Sequence, residues 1–292
     1  MVKAFVFRFS SVLFLSFFLI LSCTEKEEPG MAPLDPMVAA ELIDTPYGSD
    51  VRQAMDIFLP ANRSQNSTKV FVWIHGGGWV DGDKDEFVQF KPWLEAVQDD
   101  YAYIAINYRL FNISNGSNKF PSQEEDIKNA IAYIQSQLST WDVSDEIILA
   151  GGSAGGHLAL LHSYKNNQNG LVKAVVAFFP PTELVSFYGF SLFTQLLLDN
   201  LLGGNPNAKP AIYADSSPVG FVTPNSVPTV FFHGNIDTVV PISQSEILEE
   251  ALIAKNVSHL VEYIQGQGHG FTTETYQDLI AKAQVFLDGV LE

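Results

Sequence analysis

Ser153 stands in Gly151-Gly152-Ser153-Ala154-Gly155, a G-x-S-x-G run. A serine hydroxyl is a poor nucleophile unless a neighbouring base removes its proton. The apolar stretch 146–150 leads into the run, and Gly156-His157-Leu158-Ala159-Leu160-Leu161 leads out of it, so a strand, a tight turn and a helix are expected in that order. Such a turn holds the serine at a strained φ/ψ and needs small neighbours, here Gly, Ala and Gly. It also sets the hydroxyl at a helix N-terminus, where the positive end of the dipole favours a developing oxyanion. The chemistry these features describe is acyl transfer through a covalent serine ester.

That chemistry needs backbone donors, a base and an acid. His75-Gly76-Gly77-Gly78-Trp79 follows the apolar run 69–74, and its three glycines let N–H groups approach a ligand without side-chain hindrance. Gly77, Gly78 and Ala154 are assigned as oxyanion donors, and His75 as a brace for the loop. Six histidines compete for the role of base. His269, in Gln267-Gly268-His269-Gly270-Phe271, follows the strand ending near 264, where a loop can reach across the sheet top. The others fit less well: His157 and His162 ride on the helix of Ser153, His259 begins a strand and His233 precedes a turn. The acid should fall between serine and histidine in chain order. Asp237, just past the strand 229–232, meets this, with Glu183 and Asp215 as alternatives. In the mechanism expected, His269 activates Ser153 and then water, and Asp237 fixes the imidazole tautomer. It calls for no metal and no organic cofactor.

The elements that must position these groups alternate. Strands are expected over 69–74, 103–107, 146–150, 173–179, 229–232 and 260–264, with an antiparallel start near 55–59. Helices are expected near 123–139, 155–165, 242–255 and 273–290. Nearly continuous apolar strands between helices describe one α/β domain, a mostly parallel, doubly wound sheet with helices on both faces. Residues 180–225 interrupt the alternation with Phe187, Tyr188, Phe190, Phe193 and Leu196-Leu197-Leu198. Two readings stand for this insertion: packed core helix, or a small lid over the site. Trp79 and the aromatics of 187–193 are likewise either stacking surfaces for a sugar or aromatic acyl group, or core.

Taken together, His75-Gly76-Gly77-Gly78-Trp79, Asn107-Tyr108-Arg109-Leu110, Gly151-Gly152-Ser153-Ala154-Gly155-Gly156-His157, His233-Gly234-x-x-Asp237-x-Val239-Val240-Pro241 and Gly268-His269-Gly270-Phe271 resemble the esterase/lipase branch of the α/β-hydrolases. They are most similar to secreted bacterial carbohydrate esterases that remove acetyl or feruloyl groups from xylan. The resemblance spans about residues 50–290 and implies the α/β-hydrolase fold, the triad Ser153, Asp237 and His269, and the same oxyanion hole. It implies a serine carboxylic ester hydrolase acting on acyl groups of extracellular carbohydrate. A general short-chain carboxylesterase, a serine peptidase and a non-catalytic glycan-binding lipoprotein are the alternatives. The chain departs from the lipase-like members after Leu110, where Phe111-Asn112-Ile113 replaces the usual Ala-Pro-Glu.

The 292 residues carry a formal net charge of −17, which repels phosphate backbones and excludes nucleic acid as a partner. Lys3 and Arg8 precede the apolar run 12–21, and Ile20-Leu21-Ser22-Cys23 resembles a bacterial lipobox. Cys23 is the only cysteine, so no internal disulfide is available to it. The expected organisation is a lipoprotein signal peptide over 1–23, a polar tether over 24–40 and a catalytic domain over 41–292. The protein is then exported and lipid-anchored through Cys23 to a bacterial membrane, with the outer cell surface as one location, and touches the membrane only through that anchor.

Overall fold

The computed structural model describes residue 1 and residues 34–291, so the expected signal peptide and Cys23 lie outside the described residues. The domain begins earlier than the expected residue 41. Leu34 packs against the core, and the Arg63 guanidinium donates to the carbonyls of Val38 (2.7 Å) and Trp141 (2.7 Å). Residues 34–40 therefore belong to the domain rather than to the tether expected over 24–40, and residues 24–33 lie outside the described residues.

Eight strands form one sheet in the order β1-β2-β4-β3-β5-β6-β7-β8. β1 (Ala40–Pro46) and β2 (Ala54–Leu59) make the antiparallel edge, and β2 also pairs antiparallel with β4 (Ala102–Ile106). The other neighbours, β3 (Val70–Ile74), β5 (Ile147–Gly152), β6 (Val172–Phe178), β7 (Thr229–Gly234) and β8 (His259–Ile264), run parallel. Every residue of β3, β4, β5 and β7 is buried, which is why their sequences read as unbroken apolar runs. Helices cover both faces. α1 (Phe87–Glu95) and α8 (Thr273–Val290) pack on one side with Phe71, Trp73 and Phe178. α2 (Ser122–Trp141), α3 (Ala154–Leu161) and α7 (Ser243–Ala254) pack on the other. This is the doubly wound sheet expected.

The expected elements are present, and β1 and α1 are additional. β1 alternates partly buried and exposed residues at the sheet edge, a pattern without an apolar run. α1 contains Pro92, which reads in sequence as a breaker. The insertion 180–225 carries three helices of its own, α4 (Leu184–Tyr188), α5 (Leu192–Leu201) and α6 (Pro210–Asp215).

The strand order fixes where a site can form. The chain leaves β3 for β4 on one side and returns to β5 on the other, so the connections after β3 and β5 diverge at the C-terminal end of the sheet. A crevice opens at such a switch point in parallel α/β sheets. Ile74 pairs with Gly151 there, which sets the loop at 75–79 beside the turn at Ser153.

Candidate active site

β5 ends at Gly152 and α3 begins at Ala154, leaving Ser153 to reverse the chain at φ 53°, ψ −121°. A non-glycine residue held there carries strain of about 1–3 kcal/mol. The surroundings enforce it: Ser153 N–H donates to Phe178 O at 2.8 Å, and Ser153 O accepts from His157 N–H at 3.0 Å. Gly155 follows where no side chain fits, since a Cβ would stand 2.0 Å from the carbonyl oxygen of Ile74.

The loop after β3 turns through Gly77 at φ 95° and Gly78 at φ 58°, and a Cβ on Gly77 would lie 2.1 Å from Asp81 O. Among the described residues, the N–H groups of Gly77, Gly78 and Ala154 donate to no protein acceptor. Gly77, Gly78 and Ser153 line one cavity, so the expected donors lie beside the expected nucleophile.

His75 is buried and acts as a brace. Its Nδ1–H donates to Gly76 O at 2.8 Å, its Nε2 accepts from Arg52 Nη2 at 3.0 Å, and its ring stacks on Tyr108 at 4.3 Å. Burial pushes its pKa down to about 4, so it is neutral at pH 7. Arg52 is a hub that the sequence did not reveal. It also reaches Asp83 (2.6 Å), Gly82 O (2.8 Å) and Asn107 Oδ1 (3.0 Å). Tyr108 OH donates to His75 O and Gly76 O, both at 3.1 Å. Arg109 grips Asp126 through its Nε and Nη2, the latter at 2.7 Å. Tyr108 directly, and Asn107 through Arg52, thus hold the glycine loop in place, and the buried Asp126 anchors the adjacent Arg109.

On the far side of Ser153, His269 Nδ1–H donates to Asp237 Oδ2 at 2.7 Å. The other carboxylate oxygen accepts from Val239 N–H (2.8 Å) and Val240 N–H (3.0 Å). Burial alone would raise the Asp237 pKa. Hydrogen bonding from His233 and His269, the nearby His269 and the Val239 amide overcome it and hold the carboxyl well below the usual range. With Nδ1–H committed to Asp237, Nε2 of His269 is the free lone pair, and His269 lines the cavity of Ser153. The Phe179 ring lies 4.5 Å from the imidazole and limits how it can tilt.

The alternatives are otherwise engaged. Glu183 caps α4 by accepting from Val185 N–H and Ser186 N–H, and Asp215 pairs with Lys165 at 2.9 Å. His233 is buried between Ser245 Oγ (2.7 Å) and Val240 O (2.9 Å), with its Nε2 3.4 Å from Asp237 Oδ2, and His259 bonds Val257 O at the opposite end of β8.

Trp79 requires a correction. It is 1% exposed, its Nε1–H donates to His157 Nδ1 at 3.3 Å, and its ring meets that imidazole edge-on. His157 passes its own Nε2–H to Ser216 O at 2.7 Å. The indole ties the glycine loop to α3, and although Trp79 contributes to the cavity wall, a side chain this buried offers no face for a sugar to stack on. The positive φ of 62° at Trp79 turns the side chain inward.

The cavity at Ser153 has a volume of about 410 Å³ and a mostly apolar wall. One side comes from the insertion through Pro181, Phe187, Phe193 and Leu197. Both readings of the insertion aromatics apply in part, since Phe187 is buried whereas Phe193 is 66% exposed at the cavity. The opposite side comes from Trp73, Phe90, Phe178 and Tyr276, and Glu86 is the one carboxylate in the lining. None of these four aromatics carried a functional signal in the sequence: Trp73, Phe178 and Tyr276 sit in expected strands and a helix, and Phe90 lies in the unexpected α1.

The comparisons agree with this arrangement. The BD-FAE family model matches residues 55–252. Esterase LipC of Mycobacterium tuberculosis is 27% identical over 241 residues, which cover 77% of this chain; the chain spans only 58% of LipC's length. A truncated carbohydrate esterase from gut microbiota superposes with a TM-score of 0.74 at 22% identity, covering 89% of this chain and 99% of that one. The bifunctional GH43-CE of Bacteroides eggerthii superposes with a TM-score of 0.72 at 26% identity, covering 85% of this chain and 38% of that one. A strained serine after β5, a glycine loop after β3 and a His–Asp pair after β8 and β7 sit on this fold, and the chain belongs to the BD-FAE family of α/β-hydrolase esterases.

Proposed function

We propose that this chain is a serine carboxylic ester hydrolase with Ser153 as nucleophile, His269 as general base and Asp237 as orienting acid. The carrying observation is the 2.7 Å His269–Asp237 bond, which leaves Nε2 free in the same cavity as Ser153. His269 Nε2 takes the Ser153 proton as Oγ attacks the ester carbonyl carbon. The N–H groups of Gly77, Gly78 and Ala154 receive the oxyanion. Collapse breaks the bond to the alcohol oxygen, which leaves with the proton from His269. Water, deprotonated by His269, then attacks the acyl-enzyme, and the carboxylic acid departs with Ser153 restored. The Ser153–His269 hydrogen bond forms in the substrate complex, where such contacts tighten.

The substrates we assign are acetyl or feruloyl esters on extracellular carbohydrate. One structural relative is a carbohydrate esterase from gut microbiota, and the aromatic lining of the cavity suits a planar acyl group. The exported, lipid-anchored location through Cys23 belongs to the same reading and brings the site to polymers that cannot enter a cell. The test compares release of acetate and ferulate from plant polysaccharides with hydrolysis of short and long p-nitrophenyl esters. Release from the polysaccharide is expected. Hydrolysis of p-nitrophenyl esters alone would reduce the reading to a general short-chain carboxylesterase. Metabolic labelling with an alkyne palmitate, lost in Cys23→Ala, tests the anchor.

A further inference from the structure

Four acids follow the glycine loop within one short stretch, and three of them are committed to local partners. Asp81 accepts from Gly82 N–H at 2.8 Å. Asp83 pairs with Arg52 at 2.6 Å, and Asp85 with Lys84 at 3.3 Å. Glu86, at the start of α1, has no ion pair among the described residues, and its side chain does not cap the helix. It is also the acid of this stretch that lines the cavity at Ser153.

Part of Glu86 lies in solvent, but its carboxyl is incompletely hydrated. Burial pushes its pKa up, the Asp83 amide opposes this, and the charges of Asp83 and Asp81 add to it. Burial likewise raises the Tyr108 hydroxyl, Arg52 opposes it, and the Glu86 charge adds to it. That hydroxyl donates to Gly76 O behind the glycine loop, so the field of Glu86 is felt at the site. Among the described residues the cavity lining contains no Lys and no Arg. An anionic group entering it gives up hydration, meets a like charge and finds no counter-charge in the wall. A neutral group of the same shape escapes that repulsion.

We infer that Glu86 is a specificity-determining residue that filters substrates by charge, turning away esters that carry a free carboxylate and admitting neutral esters of the same shape. This rests on the esterase reading above and deepens it. The same charge acts on the product, since hydrolysis leaves a carboxylate in the cavity and repulsion by Glu86 favours its departure.

The test compares two p-nitrophenyl esters of equal heavy-atom count, the half-ester of adipic acid and its primary amide, with p-nitrophenyl acetate alongside. At about pH 8 the free carboxyl of the half-ester is ionised. The wild-type protein should prefer the amide by about fivefold in kcat/KM, a value reduced for a charge partly in water. Glu86→Gln should bring that ratio close to one, and Glu86→Lys should carry it below one; the residue is exposed, so both variants should fold. Asp99→Asn removes the same net charge from a separate hollow beside Phe58 and should keep the wild-type ratio. A wild-type ratio near one overturns the inference, as does a preference that survives in Glu86→Gln. Equal loss of the preference in Asp99→Asn also overturns it, since overall charge would then be the cause. Turnover of p-nitrophenyl acetate but of neither adipoyl ester overturns the inference, because no such chain then reaches Glu86, and leaves the esterase reading intact. No turnover of any ester overturns the esterase reading itself.

Discussion

Gly155 lies directly beneath the carbonyl of Ile74, with 2.0 Å between that oxygen and the place a Cβ would occupy. One residue belongs to the turn that carries Ser153, the other to the strand that launches the glycine loop. Their contact sets the spacing between nucleophile and oxyanion donors. Gly155→Ala should force the two apart, at a cost of about 1–3 kcal/mol or more in stability. Activity on p-nitrophenyl acetate should fall at least about a hundredfold, since misplacement by 1 Å has that effect. Activity within twofold of wild type would show that the spacing is adjustable.

Ser153→Ala should abolish turnover and labelling by a fluorophosphonate probe while leaving the thermal midpoint nearly unchanged. Asp237→Asn should preserve the fold yet lower kcat on the order of 10⁴-fold, because the amide stabilises the wrong imidazole tautomer. Comparable kcat for Asp237→Asn and wild type would move the acid's role elsewhere.

Arg52→Met removes donors from His75, Asn107, Gly82 and Asp83 together. Unsatisfied acceptors around a half-buried hub should cost about 1–3 kcal/mol, a drop in melting temperature of about 2–4 °C per kcal/mol for a domain of this size. The glycine loop loses its brace, so kcat should fall more than KM rises. A change confined to KM would place Arg52 outside the support of the oxyanion donors.

Stability should fall on acidification in a defined window. Burial pushes His75, His157 and His162 down to about 4 in the folded protein, against about 6.5 in the unfolded chain. Between those values the unfolded chain binds protons that the folded one refuses, so stability declines as pH drops from 6.5 and the histidine contribution levels off below 4. The depressed Asp237 carboxyl adds a further loss at lower pH, as it protonates. His157→Gln can still donate to Ser216 O and accept from Trp79, so the variant should fold. Its stability slope should be shallower by up to about 1.4 kcal/mol per pH unit, read from urea melts between pH 4 and 7. An unchanged slope would mean that His157 is not a source of the effect.

The sequence made the chemistry legible where residue type and chain position are both restrictive. The elbow at Ser153 needs glycines and a helix start, the donor loop needs glycines after a strand, and the base needs a loop beyond the last strands. Support residues were less visible. Arg52 lies in the turn between β1 and β2 with no motif, and its partners come from two separate loops, those after β3 and β4. Trp79 sits beside the glycines and invites a substrate role, but the backbone angle that buries it cannot be read from neighbouring residue types. Trp73 and Tyr276 lie in an expected strand and helix with no sign of a site, and only the packing of α1 and α8 on the sheet brings them, with Phe90, to the cavity wall.

The insertion 180–225 has a consequence for how this enzyme could diversify. Nucleophile, donors, base and acid all descend from the ends of sheet strands, whereas one wall of the cavity arises from this single stretch looped out between β6 and β7. The reacting groups and this one wall are thereby encoded in different portions of the gene. Exchange of that one cassette between relatives would reshape this wall while the strand-end groups are inherited whole.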